Sequence, residues 1–205
     1  MSLKAERAKL LSAAFRMPSV QTMVSRKSSI TNAFVNSLIP VIPPTLEEID
    51  QALQILGMEP DNVRCAYCGD PRTEWDHLRP LVLRLRPTGY ISEIANLVPS
   101  CGKCNQSKGN KNWLEWINGT AVLCPGKRKT PGLDQRIERL KAYEAWKHVR
   151  PINFEQILGP DLWQEYWRNY EELIDSMKES QLLGDRLKTK IKEAHDAGEA
   201  NRRGT

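Results

Sequence analysis

The chain has 205 residues, 40% of them hydrophobic and 27% charged, which is enough for one mid-sized domain or a small module with helical additions, and a core of that size does not depend on disulfides. Its apolar runs are short: Phe34 to Ile42 is interrupted by Asn36, Ser37 and Pro40, and Leu81 to Leu85 by Arg84, far from the roughly 20 apolar residues of a membrane helix. The net charge of +5 is uneven, because residues 61–130 carry 11 basic and 6 acidic side chains while the segments on either side sit near neutrality. That excess falls on the segment holding all five cysteines, and a local positive field beside metal-ligand residues suits a polyanionic substrate.

In chain order, residues 3–16 (LKAERAKLLSAAFR) are rich in helix formers and predict a basic N-terminal helix carrying Lys4, Arg7, Lys9 and Arg16. No continuous apolar stretch marks a secretory leader. The basic, Ser-rich character of the first 31 residues has only a superficial likeness to a mitochondrial transit peptide, so a reducing cytoplasmic setting is expected. Residues 17–44 look irregular and end in Pro40, Pro43 and Pro44. Thr45-Leu-Glu-Glu48 has the form of a capping box. Leu46, Ile49, Leu53 and Leu56 follow at helical spacing and Gly57 supplies the stop, which predicts a helix over 46–56.

Residues 119–133, with Gly119, Pro125, Gly126, Pro131 and Gly132 around Lys127-Arg-Lys129, read as a loop. Beyond it, Leu133, Ile137, Leu140, Tyr143 and Trp146 form one helical stripe, and Leu162 to Met177 a stronger one rich in Trp and Tyr. The aromatic stripe reads as core packing or a dimer interface before it reads as a base-stacking surface. Residues from about 180 to 197 are charged and helix-compatible, and the tail from Glu199 is expected to fray.

The chemistry lies between. Cys65-Ala-Tyr-Cys68 and Cys101-Gly-Lys-Cys104 are two CxxC pairs. Each lets two thiolates approach one ion from a tight turn, and two such knuckles supply the four soft ligands of a closed, structural zinc site. Cys124 has no such partner and reads as a bystander. A zinc ion with four sulfur ligands has no open position, so any catalytic group must sit elsewhere. The neighbouring runs Trp75-Asp76-His77-Leu-Arg79-Pro80, Asn96-Leu-Val-Pro99 and Asn105-x2-Lys108-Gly109 offer a carboxylate, an imidazole and amides.

Taken together, Cys-x2-Cys, Asp-His-x2-Pro, Asn-Leu-Val-Pro and Cys-x2-Cys-Asn-x2-Lys-Gly resemble the HNH endonuclease family with its zinc-supported ββα-metal fold, over about residues 64–117. The third residue of the family motif, a His, is Asn105 here. The resemblance implies that His77 is the general base and that Asp76 and Asn105 hold a catalytic Mg²⁺ or Mn²⁺. It makes Asn96 a structural residue that fixes a long hairpin loop, and Cys65, Cys68, Cys101 and Cys104 the ligands of structural Zn²⁺. It also implies that the Asp76-His77 pair stands at the end of a strand, since adjacent residues on a regular strand face opposite ways. Arg79, Lys103, Lys108 and Lys111 are then candidate phosphate contacts.

The expected architecture is α+β: an N-terminal helical segment (1–60), a treble-clef-like ββα-metal nuclease module (61–118) and a C-terminal helical region (119–205). The expected activity is hydrolysis of DNA to 5′-phosphate and 3′-hydroxyl ends by a restriction-type enzyme, with a homodimer as the matching assembly. A nicking or weakly specific nuclease of a phage or mobile element, and a non-catalytic zinc module that binds nucleic acid, are the alternatives.

Overall fold

A computed structural model of the chain describes residues 3–15 and 17–203, so Arg16 lies outside the described residues. The described residues group into two compact units: residues up to Lys27 together with those from Glu171 onward, and the larger unit Ser28–Tyr170. In the first unit, α1 spans Leu3–Ala14 and a 3-10 turn spans Val24–Arg26. The amide of Met23 donates to the Gln181 side chain at 2.7 Å.

The second unit opens with α2 (Lys27–Leu38), a helix inside the stretch expected to be irregular. Its apolar residues are too few to stand out among Ser and Asn, and its folding depends on partners far along the chain. The Phe34 ring lies edge-on to Tyr166 and Tyr170, with centroids 5.4 and 5.2 Å away. The buried Thr31 hydroxyl shares a hydrogen bond with Tyr170 Oη at 2.8 Å. Tertiary packing of this kind, rather than propensity, stabilises most short helices.

The next helix, α3 (Leu46–Leu56), has both hydrogen bonds of the Thr45–Glu48 capping box and ends at Gly57 in the left-handed region, φ 64°. Strand β1 (Glu74–His77) pairs antiparallel with β4 (Leu97–Ser100), in a register that sets Asp76 opposite Val98 and His77 opposite Leu97. The long connection between them carries the two-residue strands β2 (Val82–Leu83) and β3 (Arg86–Pro87). Helix α4 (Gly102–Lys108) packs on β1 and completes the ββα unit, and α5 (Trp113–Ile117) follows. Then come α6 (Leu133–Trp146), α7 (Phe154–Leu158) and α8 (Pro160–Arg203). The fold is thus α+β, helices around small antiparallel sheets. The aromatic stripe is part of α8, and helical backbone continues through the tail expected to fray.

One core gathers the module and its flanks. Leu56 of α3, Val98 of β4, Trp113 and Ile117 of α5, and Leu140 and Tyr143 of α6 are all at most 3% exposed and surround the cysteines. Tyr143 satisfies its buried hydroxyl by donating to the carbonyls of Ile94 (2.5 Å) and Leu97 (2.9 Å), so α6 is pinned to the segment leading into β4.

Candidate active site and metal centre

The first CxxC pair lies in a tight turn. The amide of Gly69 donates to Cys65 O at 2.8 Å, and Gly69 itself has φ 81°, a conformation that favours glycine. A Cβ there would also lie 2.3 Å from Nη2 of Arg136, whose guanidinium would have to swing aside. The second pair starts α4, with Cys101 as N-cap and Cys104 one turn on. The four sulfurs lie within 4.8 Å of one another and all four residues are buried. With Zn–S bonds near 2.3 Å, sulfurs at the corners of a tetrahedron lie about 3.8 Å apart. The Cys68–Cys101 separation is 3.7 Å, so the donor set fits a structural zinc ion. Arg128, from the loop before α6, donates to Cys104 Sγ at 3.1 Å and pairs with Asp70 at 3.5 Å, placing positive charge beside the thiolates. Cys124 is buried outside this cluster, its thiol directed to Gly119 O at 3.1 Å.

Side chains two apart on a strand share a face. Glu74 and Asp76 therefore point together toward α4, where Asn105 and Lys108, three apart on a helix, also share a face. The pairing is one to one. Asn105 Nδ2 donates to Glu74 Oε2 at 2.6 Å, and Lys108 Nζ lies 3.1 and 3.3 Å from the two Asp76 oxygens. Asn105, expected beside Asp76, is thus held by Glu74, a residue sequence reasoning had not singled out. With its amide nitrogen engaged there, its Oδ1 is left without a hydrogen bond among the described residues.

Two expectations for phosphate contacts need correction. Lys108 is 0% exposed: besides Asp76, its ammonium donates to the carbonyls of His77 (2.7 Å) and Gly109 (3.3 Å), which leaves no path to a phosphate. Arg79 is directed inward to Glu144, donating to its carbonyl at 3.0 Å with the carboxylate 3.6 Å away, and lies over the Tyr90 ring at 5.8 Å. Lys103 and Lys111 are exposed; Lys111 Nζ donates to Ser107 O at 2.9 Å near the end of α4.

Asp76 is 6% exposed, and Tyr67, the third residue of the first knuckle, donates its hydroxyl to Oδ2 at 2.6 Å. Burial pushes the Asp76 carboxyl up and the Lys108 ammonium down, and the attraction between them opposes both shifts. His77 is the last residue of β1. Its ring shares a hydrogen bond between Nε2 and Ser92 Oγ at 2.9 Å, while Nδ1 has no partner among the described residues. Burial, reinforced by the Lys108 charge, takes the imidazole down to about 4, so the ring is neutral and able to accept a proton near neutral pH. Asn96 is fully buried. Its Oδ1 accepts from the Arg79 amide (2.8 Å) and its Nδ2 donates to the carbonyls of Arg79 (3.1 Å) and Ile91 (3.2 Å), tying both ends of the long connection together.

Asp76 and His77 open together into a cleft of about 550 Å³, lined also by the hairpin turn at Arg84 and, on another side, by α2. Tyr67, Glu74 and the α2 wall are the parts that sequence reasoning missed. For Glu74 the signal was its position two residues before Asp76, hence on the same strand face; for Tyr67 and α2 the sequence carries no local signal.

Residues 65–111 match the family model described as HNH endonuclease. Over 141 residues the chain is 26% identical to the CRISPR-associated endonuclease Cas9 of Corynebacterium diphtheriae, an alignment covering 66% of this chain and 12% of that protein. No solved structure gives a significant match. No helix among the described residues is long and apolar enough to cross a membrane. From the first knuckle cysteine to Lys111, this chain carries an HNH endonuclease domain.

Proposed function

We propose that the chain is a metal-dependent endonuclease that hydrolyses phosphodiester bonds in DNA with His77 as general base. The observation that carries this is the neutral His77 imidazole at the end of β1, opening with Asp76 into one cleft. In the tautomer whose Nε2–H donates to Ser92 Oγ, the ring is held and Nδ1 keeps its lone pair. Nδ1 takes the proton of a water whose oxygen bonds to phosphorus as the P–O3′ bond breaks. The leaving oxygen is protonated from solvent, giving 5′-phosphate and 3′-hydroxyl ends. Asp76 and the open Oδ1 of Asn105 are hard oxygen donors that would hold Mg²⁺ or Mn²⁺. Such an ion, when bound, neutralises charge developing on the phosphate and the leaving oxygen. Lys103 and Lys111, both exposed, are the candidate phosphate contacts, and cysteines that serve as metal ligands suit a reducing, cytoplasmic setting.

The test is cleavage of plasmid DNA with Mg²⁺ or Mn²⁺. His77→Ala should cut about 10²- to 10⁴-fold more slowly while keeping its zinc and its melting temperature. Undiminished cutting would remove His77 from the mechanism, and no cutting by the folded, zinc-loaded parent protein would leave a nucleic-acid-binding module. Discrete fragments and a dimeric mass would favour the restriction-type homodimer. A second reading is favoured by the length of the Cas9 alignment, 141 residues against the 47 of the domain match. The similarity reaches into the flanks, as it would for a CRISPR-associated nuclease that depends on other components to choose its target, and nicked or unspecific products from the isolated chain would favour it.

A further inference from the structure

The α2 wall of the cleft lies outside the residues of the domain match, and its polar side chains divide into two sets. One set is bonded within the fold: the buried Thr31 bonds Tyr170, and the exposed Ser37 shares a hydrogen bond with Tyr166 at 2.5 Å. The other set, Ser28, Asn32 and Asn36, repeats every fourth residue and so forms one stripe along the helix. All three are exposed, all three line the cleft that holds His77, and none has a side-chain hydrogen bond among the described residues. Asparagine inside a helix is intrinsically unfavourable relative to alanine, and nothing in the fold of this helix repays it at these two positions.

Elsewhere on the cleft stands the turn between β2 and β3. Arg84 (φ 50°) and Leu85 (φ 63°) are the two central residues of this turn, both in the left-handed region that a two-residue hairpin connection requires, and both line the cleft. The Arg84 side chain is exposed and has no ion-pair partner among the described residues. The cleft therefore sets unspent amide donors and a free guanidinium around the His77–Asp76 edge.

We propose that this cleft is the seat of one strand of the DNA substrate, with Asn32 and Asn36 donating to successive backbone phosphate or sugar oxygens and Arg84 pairing with a phosphate. One helical turn separates the two amides by about 6 Å along the axis, close to the rise of two nucleotides in a strand. The proposal rests on the nuclease reading above and adds to it a substrate contact surface contributed by the N-terminal flank.

Fluorescence anisotropy with a labelled single-stranded oligonucleotide, in the non-cleaving His77→Ala background, measures the contact directly. Adding Asn32→Ala and Asn36→Ala should weaken binding about tenfold or more, the worth of even one hydrogen bond to a charged acceptor, and leave the salt dependence unchanged. Adding Arg84→Ala should weaken binding and make the slope of log K against log salt shallower by about 0.7. Because alanine raises helix propensity at exposed positions, the double variant should melt no lower than its parent, so a binding loss is not an unfolding effect. In the cleaving protein, the two asparagine substitutions should raise KM more than they lower kcat. Unchanged affinity in the double variant, with cleavage by the parent chain intact, would overturn this proposal alone; a parent chain that neither binds nor cuts DNA would overturn the nuclease reading with it.

Discussion

Replacing Lys108 by Met separates an internal clamp from a surface lysine. The Lys108 ammonium is fully enclosed and lies within 3.3 Å of both Asp76 oxygens and of the carbonyls of His77 and Gly109. Methionine keeps most of the volume, so the loss is electrostatic rather than a cavity. Asp76 would keep the Tyr67 hydroxyl and the His77 amide, both neutral donors, and the two carbonyls would lose the ammonium. Removing one partner of a buried pair costs about 3–5 kcal/mol, because the remaining charge stays desolvated and unpaired. In a protein of this size each kcal/mol moves the melting temperature by about 2–4 °C, so the variant should melt roughly 6–20 °C lower. Circular dichroism melts of zinc-loaded protein read this out. Lys108→Met combined with Asp76→Leu, which removes the stranded charge, should recover part of the loss. A surface lysine would behave in the opposite way: the melt would move by under about 1 °C, and the salt dependence of DNA binding would become shallower by about one phosphate contact. A melt shift below 2 °C would refute the clamp.

Asn96→Ala should lower stability by about 2–4 kcal/mol, since it bares a buried amide and two carbonyls, and denaturant unfolding checks this. Cleavage should fall too, because the loop carrying Ser92 is released from Arg79. Cys101→Ser should lose zinc, measured by elemental analysis, and with it the folded module, since structural zinc contributes on the order of 10 kcal/mol in small domains; a soluble, active, zinc-free variant would refute this. The hydrogen bond from Lys147, with the Thr45 amide, holds the Glu48 carboxyl below the usual glutamate range. A depressed carboxylate contributes stability that is present above the unfolded value near 4.3 and is lost as pH falls through the lower folded value. Glu48→Gln should therefore destabilise the protein at pH 7 and lose less on acidification than the parent, as read from urea midpoints at pH 7 and below 4.

The legible parts of this molecule are those whose cause is local. The α3 capping box depends on four consecutive residues, Thr45 to Glu48, and each CxxC pair brings two sulfurs together within four residues, the first in a turn and the second at the start of α4. Alternation of side chains asks for a strand end or a bulge at Asp76-His77, the family resemblance implies the strand end, and β1 ends at His77. What stayed hidden depends on contacts between distant residues. Helix α2 is completed by tyrosines more than 130 positions away, so its own sequence shows only scattered apolar residues among Ser and Asn. Lys108 reads as a surface cation until β1 is laid against α4, when its partner is seen to be 32 positions earlier. The same register gives the Asn105 amide nitrogen Glu74 as its partner and leaves Oδ1 open.

These hidden contacts explain how a metal site with no open position bears on chemistry it does not perform. Tyr67 belongs to the first knuckle, and its hydroxyl meets the oxygen of Asp76 that Lys108 also approaches. Cys104 lies in the first turn of the helix that carries Asn105 and Lys108, one residue and four residues on. A zinc ion held by Cys65, Cys68, Cys101 and Cys104 would therefore fix from two sides the Asp76 carboxylate of β1 and the α4 side chains that face it. A knuckle loosened by even an ångström would shift Tyr67 and α4 relative to each other and leave the Asp76 charge with weaker partners in a place too buried for water to replace them. The cost of losing zinc should thus appear at Asp76 before it appears in the helices further along the chain.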